Sequence, residues 1–196
     1  MVIAAVGISS EDILEGIRVK DSKLLSAQER ERLYIIIRKK CKVATVRLDS
    51  QQIDIMRREM TLNEVIARLH AKVIVKLSPD YAYLDACDVN TFRYAEMVKN
   101  HLVLPCEIIS EHHADEKFPV VSAASIIAKV TRDRAIATLA KKYGMIGSGY
   151  PSDPVTISFL NSYIDEHRVP PPIARKSWKT VSAILSKKSQ RRLNDF

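Results

Sequence analysis

Short apolar runs rich in β-branched residues alternate along this chain with longer segments of helical periodicity. A strand that is half buried alternates apolar and polar residues, whereas a helix repeats its apolar positions every three to four residues. Strands that alternate with helices are typical of α/β folds, in which helices cover a sheet. The runs that predict strands are VIAAVGI (2–8), KVATVRLD (42–49), DYAYLDA (80–86) and EIIS, which starts at Glu107.

Capping residues mark where several helices begin and end. Ser26 precedes the segment AQERERLYIIIRKK and has Glu29 three positions on, which is a capping-box pattern. Thr61 precedes LNEVIARLHAKVIVKL, whose apolar residues recur at helical spacing. The segment TFRYAEMVKNHL predicts a further helix, and a long alanine-rich helix is expected to end at Gly144.

The pattern changes after GSGYPSDP (147–154). Two short helices are predicted there, at about 153–166 and 177–189, with the stiff VPPPI segment between them. We therefore predict an α/β domain over residues 1–147 and a small helical extension with a basic tail over residues 148–196. A chain of 196 residues is long enough for one core with such an appendage.

The positive charge is concentrated near the C-terminus. The net charge is +8, and residues 168–196 carry eight Lys or Arg against one acid, which makes +7 for this stretch alone. A basic end on a nearly neutral body indicates an anionic partner such as a nucleic acid. A solvated face that only maintains solubility explains the same charge equally well, so charge by itself leaves both interpretations open.

The composition excludes several classes of protein. No apolar run approaches the roughly 18 to 20 residues of a membrane helix, and the first residues lack the basic segment of a secretory signal. We therefore expect a cytoplasmic protein with no membrane contact. Three isolated cysteines without a CxxC spacing argue against a disulfide framework and against a zinc site.

Two aspartates follow neighbouring strands of the predicted sheet. Asp85 closes one strand, and Asp115 follows the next. If the two strands are parallel, both carboxylates lie at the same edge, where open α/β sheets bind ligands. Paired carboxylates repel each other unless a cation lies between them, and Mg²⁺ accepts carboxylate oxygens together with substrate phosphate. Two such ions can hold the attacking and leaving oxygens in phosphodiester hydrolysis.

Simpler explanations exist for each acid taken alone. Asp85 could equally cap a turn, Asp115 reads by itself as a loop acid, and Asp88 is expected to be a turn or capping residue before the helix at Thr91. The adjacent His112 and His113 point apart on any regular backbone, so we do not predict a zinc site from them.

Taken together, the motifs resemble those of archaeal-type ribonuclease HII. The blocks that carry the resemblance follow the order of that family and span most of the chain. They are VKDSKLLS (19–26), YLDACDVN (83–90), EHHADEKFPVVSAASIIAKVTRDRA (111–135), GSGYPSDP (147–154) and PPIARKSWKT (171–180).

The resemblance implies a ribonuclease H-like mixed sheet flanked by helices, with the small helical extension at its end. It implies that Asp85 and Asp115 bind Mg²⁺ or Mn²⁺ and that Tyr150 packs on the sugar beside the ribonucleotide. The implied reaction cuts RNA in RNA–DNA hybrids, and ribonucleotides embedded in duplex DNA, by two-metal hydrolysis that leaves 5′-phosphates. Lys23, Lys176 and Lys179 are expected to contact phosphates, although each could be a solvated surface charge. We expect a monomer that serves DNA replication and repair.

One part of the family pattern has no counterpart here. The family opens with a central strand that ends in an Asp-Glu pair and continues into a Gly-Arg-Gly turn, and this sequence contains no such segment. We expect the 196-residue chain to bind metal weakly and to cleave poorly or not at all, with its central strand missing. The alternative is a catalytically inactive paralogue that only binds nucleic acid or a sliding clamp.

The last ten residues, KKSQRRLNDF, carry a second short motif. Gln190, Leu193 and Phe196 have the Q-x-x-L-x-x-F spacing, which resembles the peptide that docks replication and repair enzymes on the sliding clamp PCNA. The second aromatic residue of that peptide is absent. A basic tail that tracks the nucleic-acid backbone is the competing interpretation.

Overall fold

The computed structural model describes residues 1–17, 19 and 25–194, and the backbone alone for residues 189 and 191–194. Strands and helices alternate through the first two thirds of the chain, and helices follow. The elements are β1 (Val2–Gly7), a 3-10 helix (Glu11–Leu14), α1 (Ala27–Lys40), β2 (Lys42–Arg47), α2 (Ser50–Met56), α3 (Leu62–Leu77), β3 (Tyr81–Asp85), α4 (Thr91–Lys99), β4 (Glu107–Glu111), α5 (Ala114–Lys117), α6 (Pro119–Tyr143), α7 (Pro154–His167) and α8 (Lys179–Asn194).

The chain divides into two compact units. The larger unit comprises Val2–Arg47 and Met60–Arg132, and the smaller unit comprises Met1, Leu48–Glu59 and Asp133–Phe196. All four strands belong to the larger unit, whereas α2, α7 and α8 belong to the smaller one. The domain boundary between residues 147 and 148 stays a prediction.

The strands of the larger unit form two pairs. β1 and β2 are antiparallel, with Val2 opposite Arg47. β3 and β4 are parallel, with Asp85 opposite Glu111 at their carboxyl ends. Within the described residues these are two separate two-stranded sheets. The alternation of strands and helices confirms the α/β class, and the absence of a central strand from the sequence stays a prediction.

Helix α3 connects the two strand pairs, because it contacts β1, β2 and α4. Alanines on one side of α3 leave room for α4 to pack closely against it. The shared core consists of Ala67, Ala71 and Ile74 of α3, Leu84 of β3, Ile108 of β4, and Tyr94, Ala95 and Val98 of α4. Burying one such aliphatic side chain contributes about 1.5 to 3 kcal/mol, so this core fixes the parallel pair firmly.

A second core of the larger unit lies between strand β1 and helices α1 and α6. It includes Val6, Leu33, Ile37 and Ile126. The smaller unit has a core of its own, in which Leu160 and Ile164 of α7 pack with Val181 and Ile184 of α8. None of the helices in the described part of the chain is both long and apolar enough to cross a bilayer.

Most predicted helix ends are confirmed. The hydroxyl of Ser26 accepts a hydrogen bond from the amide of Glu29 at 3.1 Å, and that of Thr61 accepts one from the amide of Glu64 at 3.2 Å. Gly144 follows α6 with a φ of +79°, the left-handed conformation that suits glycine. Helix α8 extends to Asn194, five residues beyond its predicted end at about 189, because no helix breaker interrupts KKSQRRLN.

Candidate active site

The carboxyl edge of the β3–β4 pair brings together the two aspartates that the sequence singled out. Asp85 is the last residue of β3, and its Oδ1 accepts a hydrogen bond from the backbone amide of Ala114 at 3.3 Å. The amide of Ala86 donates to the carbonyl of Glu111 at 2.9 Å, which extends the parallel ladder by one residue. Asp85 is therefore held beside Ala114, the residue that precedes Asp115.

Asp115 does not lie in a loop, as its position in the sequence suggested, but in the first turn of the short helix α5. The chain turns sharply from β4 into α5 at His113, whose φ of 55° is uncommon for a residue other than glycine. This turn draws Asp115 back toward the sheet, where it is only 9% exposed. Asp85 is exposed, so one carboxylate of the pair is buried and the other faces solvent.

The donor set of this pair suits a hard cation. Mg²⁺ is typically bound through one or two carboxylates, with water and substrate phosphate completing its shell. Within the described residues, no group of three or more His, Cys, Asp and Glu side chains could hold a metal ion. His112 and His113 make other contacts: Nε2 of His112 lies 3.2 Å from the carbonyl oxygen of Val89, and Nδ1 of His113 lies 3.5 Å from Glu116.

Asp88 occupies the turn between β3 and α4. It is only 8% exposed, and its carboxylate accepts hydrogen bonds from the amide of Asn90 at 2.9 Å, from Nδ2 of Asn63 at 3.1 Å and from the guanidinium of Arg93. These bonds, that of the Asn90 amide first, hold the pKa of Asp88 below its ordinary value. The expected turn residue is thus found, and the N-cap of α4 is Asn90, whose side chain accepts from the amide of Arg93.

Tyr94 of α4 is fully buried and contacts His70 of α3, which is half-buried. The Tyr94 hydroxyl lies 2.8 Å from Nδ1 of His70. Burial lowers the pKa of His70 to about 4 and raises the pKa of Tyr94 well above its ordinary value. Burial also raises the pKa of the neighbouring Cys87, and a hydrogen bond with Tyr94 opposes that change. At neutral pH the side chains of His70, Tyr94 and Cys87 are therefore uncharged.

Tyr150 lies in the smaller unit, on the loop between α6 and α7, and is 49% exposed. The loop is held by the carboxylate of Asp153, which accepts bonds of 2.6 Å from both the amide and the hydroxyl of Ser148. The hydroxyl of Thr156 accepts a hydrogen bond from the amide of Gly149 at 2.9 Å and donates one to the carbonyl of Ile146 at 3.0 Å. Tyr150 is thus presented to solvent by a hydrogen-bonded turn.

The basic segment around Trp178 is connected to the same loop. The hydroxyl of Thr180, in the first turn of α8, donates to the carbonyl of Pro151 at 3.3 Å. The carboxylate of Asp54 accepts from the amides of Lys176 at 2.6 Å and Ser177 at 3.2 Å. The side chains of Lys176 and Lys179 remain exposed. Three of the predicted substrate contacts thus lie in one hydrogen-bonded part of the smaller unit.

The remaining predicted residues are at the limits of what the structure describes. Lys23 and Phe196 lie outside the described residues, and so does the side chain of Leu193. Gln190 is on α8 and is exposed.

An α/β fold with two aspartates at the carboxyl edge of a parallel strand pair defines, as a class, a candidate metal-dependent hydrolase. The sequence pattern of ribonuclease HII matches residues 1–181. A ribonuclease HII of Methanoregula boonei is 66% identical over 196 residues, which cover 100% of this chain and 92% of that protein. The chain belongs to the ribonuclease HII family, which is a family of hydrolases.

Solved structures agree with this assignment. The ribonuclease HII in the PCNA:RNase HII complex from Archaeoglobus fulgidus has a TM-score of 0.86 at 41% identity, and the match covers 93% of this chain and 88% of that one. Ribonuclease H2 from Pyrococcus horikoshii has a TM-score of 0.85 at 34% identity, covering 97% of this chain and 100% of that one. The ribonuclease H-like fold that the motifs implied is therefore confirmed.

Sequence reasoning missed the residues that support the candidate site residues through hydrogen bonds. Asn63 and Arg93 reach Asp88 from two different helices, and Asp54 reaches Lys176 across more than a hundred residues. No local pattern reveals such partners. Asp153 was recognisable, because an aspartate directly before a proline at the first helical position is a helix-start signal.

Proposed function

We propose that this protein hydrolyses the RNA strand of RNA–DNA hybrids and cuts at ribonucleotides embedded in duplex DNA, with Asp85 and Asp115 as metal ligands. The observation that carries the proposal is the hydrogen bond from the amide of Ala114 to Oδ1 of Asp85, because it places the first carboxylate beside the residue that precedes the second. Bound Mg²⁺ or Mn²⁺ supplies the polarisation of the phosphodiester and the activation of water that this hydrolysis requires.

The chain's own residues would have separate tasks. The two carboxylates bind the cation and fix its position, so that a scissile phosphate can bind to it as well. Tyr150 presents an aromatic ring to the sugar next to the ribonucleotide, and Lys176 and Lys179 neutralise backbone phosphates. The distinction between RNA and DNA rests on the 2′-hydroxyl. The exposure of the Tyr150, Lys176 and Lys179 side chains and the hydrogen bonds of the turn around Tyr150 support these roles.

A sliding clamp is the partner that we propose for the C-terminal tail, and we propose a cytoplasmic monomer as the working form. The support for the clamp is the Archaeoglobus fulgidus relative, whose solved structure is a complex with PCNA. In this chain the motif begins at Gln190, which is exposed on α8.

Metal binding tests the proposed site directly. We expect Asp85→Asn and Asp115→Asn each to weaken the binding of Mn²⁺, measured by electron paramagnetic resonance, by about tenfold or more. Asp80→Asn is the matched control, because Asp80 is an exposed aspartate just before the opposite end of β3. Equal affinities in the Asp80 and Asp85 variants, or no Mn²⁺ binding by the unmodified chain, would rule out the proposed site.

A further inference from the structure

The turn that follows Asp85 is fastened on several sides. Asp88 connects it to α3 through Asn63 and to α4 through Arg93, and also bonds the amide of Asn90 within the turn. On its other side, the turn carbonyl of Val89 lies 3.2 Å from Nε2 of His112, next to α5. These bonds fix the five-residue segment between β3 and α4 to α3, to α4 and to the residue before His113.

Asp88 is the centre of this arrangement. Its carboxylate is buried, and a buried carboxylate is tolerated only when hydrogen bonds replace its water. Here three donors from three different residues converge on it, and one of them is a guanidinium, which forms the stronger, charge-assisted kind of bond. The position of the turn relative to both helices therefore depends on this one side chain.

The direction of the Asp85 carboxylate depends in turn on the position of this segment. Asp85 is separated from Asp88 by two residues, and among the residues that the structure describes its carboxylate accepts one hydrogen bond, a long one of 3.3 Å from the amide of Ala114. A small displacement of the turn would rotate Asp85 away from α5. We propose that Asp88 is a positioning residue, which holds the β3–α4 turn so that the Asp85 carboxylate stays directed at the start of α5 beside Asp115.

An asparagine cannot fully replace Asp88 in this role. It lacks the negative charge that makes the bond with the Arg93 guanidinium charge-assisted. It also puts an N–H group where Oδ2 accepts from Asn63, so the side-chain amide of Asn63 must turn over to avoid facing another donor, although the two side chains at position 88 have nearly the same size. Asp88→Asn therefore changes the hydrogen bonding of the turn with little change in packing.

The amide of Ala114 reports on Asp85 without any metal or substrate. In Asp88→Asn we expect hydrogen exchange at this amide, followed by NMR, to become about threefold or more faster. Arg93→Gln, at a side chain that is 59% exposed, retains two of the three donors, and we expect it to fold and to give a smaller acceleration. Asp49→Asn is the matched control, since Asp49 caps α2 in the smaller unit.

A second readout connects the turn to the proposed function, on which this part rests: Asp88→Asn should weaken Mn²⁺ binding by about tenfold. Exchange at Asn90 that accelerates while exchange at Ala114 and Mn²⁺ affinity stay unchanged would mean that Asp88 only stabilises the turn, and the positioning role would be wrong. If the unmodified chain bound no Mn²⁺, the proposed function would fail, whereas Ala114 exchange would still decide whether Asp88 positions Asp85.

Discussion

The carboxylate of Asp153 accepts most of the hydrogen bonds described above for the loop around Tyr150. Hydrogen bonds from Ser148, first from its hydroxyl and then from its amide, together with the bond from the amide of Val155, lower the pKa of Asp153 to about 2, from an ordinary value of 3.8. Each of these donors favours the ionised carboxylate. The same side chain caps α7, so one charge serves both the loop and the helix.

The depressed pKa predicts a definite pH dependence. Because the folded pKa is lower than the unfolded one, the stabilisation is complete above about pH 4 and is lost as the pH falls through about 2. We expect Asp153→Asn to lower the melting temperature by a few degrees at pH 7, because an N–H group then replaces the oxygen that accepts from the amide and the hydroxyl of Ser148. The difference from the unmodified protein should shrink as the pH falls from about 4 to about 2.

Thermal unfolding followed by circular dichroism across that pH range measures this difference. Asp80→Asn again serves as the control, because Asp80 is an exposed aspartate outside any helix. A gap in melting temperature that stays constant down to the lowest accessible pH would contradict the assigned role of the charge.

At the scale of single residues, the sequence predicts what local geometry determines. The caps at Ser26 and Thr61 were readable because donor and acceptor lie three residues apart. Asp85 and Asp115 were readable as neighbours because parallel strands bring their carboxyl ends together. The partners of Asp88 were not, since Asn63 lies 25 residues away on a helix whose rotation only packing decides.

The loop from α6 to α7 is tightly packed at Gly147. Gly147 has a φ of +69°, and a Cβ built there would lie 2.6 Å from Oδ2 of Asp153 and 2.7 Å from the amide nitrogen of Thr156. No real Cβ tolerates contacts that short. The conformation of the loop therefore requires glycine for two reasons, the backbone dihedral angle and the space.

Gly147→Ala should separate these two reasons when it is compared with Gly16→Ala. Gly16 has a similar φ of +75°, but a Cβ added to it would have nothing within 4 Å. We expect Gly16→Ala to cost about 1 to 2 kcal/mol of unfolding free energy, because an alanine is strained in the left-handed conformation, and Gly147→Ala to cost more. Urea unfolding measures both values, and equal costs would show that the loop adapts to the added methyl group.

The C-terminal end of α8 is the element on which the clamp proposal depends. Its core residues Val181 and Ile184 precede Gln190, so removal of residues 190–196 should leave the helix packed. We expect the truncated protein to lose binding to a purified archaeal PCNA in isothermal calorimetry, by about tenfold or more, because the Leu and Phe plug supplies the apolar contact.

Two full-length variants distinguish the motif from a merely basic tail. Replacement of Leu193 and Phe196 by alanine should abolish binding to PCNA, whereas replacement of Arg191 and Arg192 should retain most of it. The opposite result would support the basic-tail interpretation. The end of α8 was predicted too early in the sequence. A helix that is anchored by a core continues until it reaches residues that disfavour helical conformation.

For the whole molecule, the arrangement of the strand pairs is the feature that local patterns describe least well. Each strand was predicted within about two residues of its observed bounds, since apolar runs are a local property. The way α3 contacts both pairs is not a local property, because it depends on which of its faces is apolar and on what the neighbouring helices leave open.

The parallel strand pair and its two aspartates together define the test of activity. In the proposed function, Asp85 and Asp115 hold the cation on which cleavage depends. We therefore expect cleavage of a duplex with one embedded ribonucleotide in Mg²⁺ to fall by about a hundredfold or more in Asp85→Asn.

Asp80→Asn is the control for this comparison, because Asp80 is an exposed aspartate just before the opposite end of β3. It should leave the cleavage rate unchanged, since its carboxylate lies away from the edge that carries Asp85. Equal cleavage rates in Asp85→Asn and in the unmodified protein would contradict the role proposed for this carboxylate, because removal of a required metal ligand must slow the reaction.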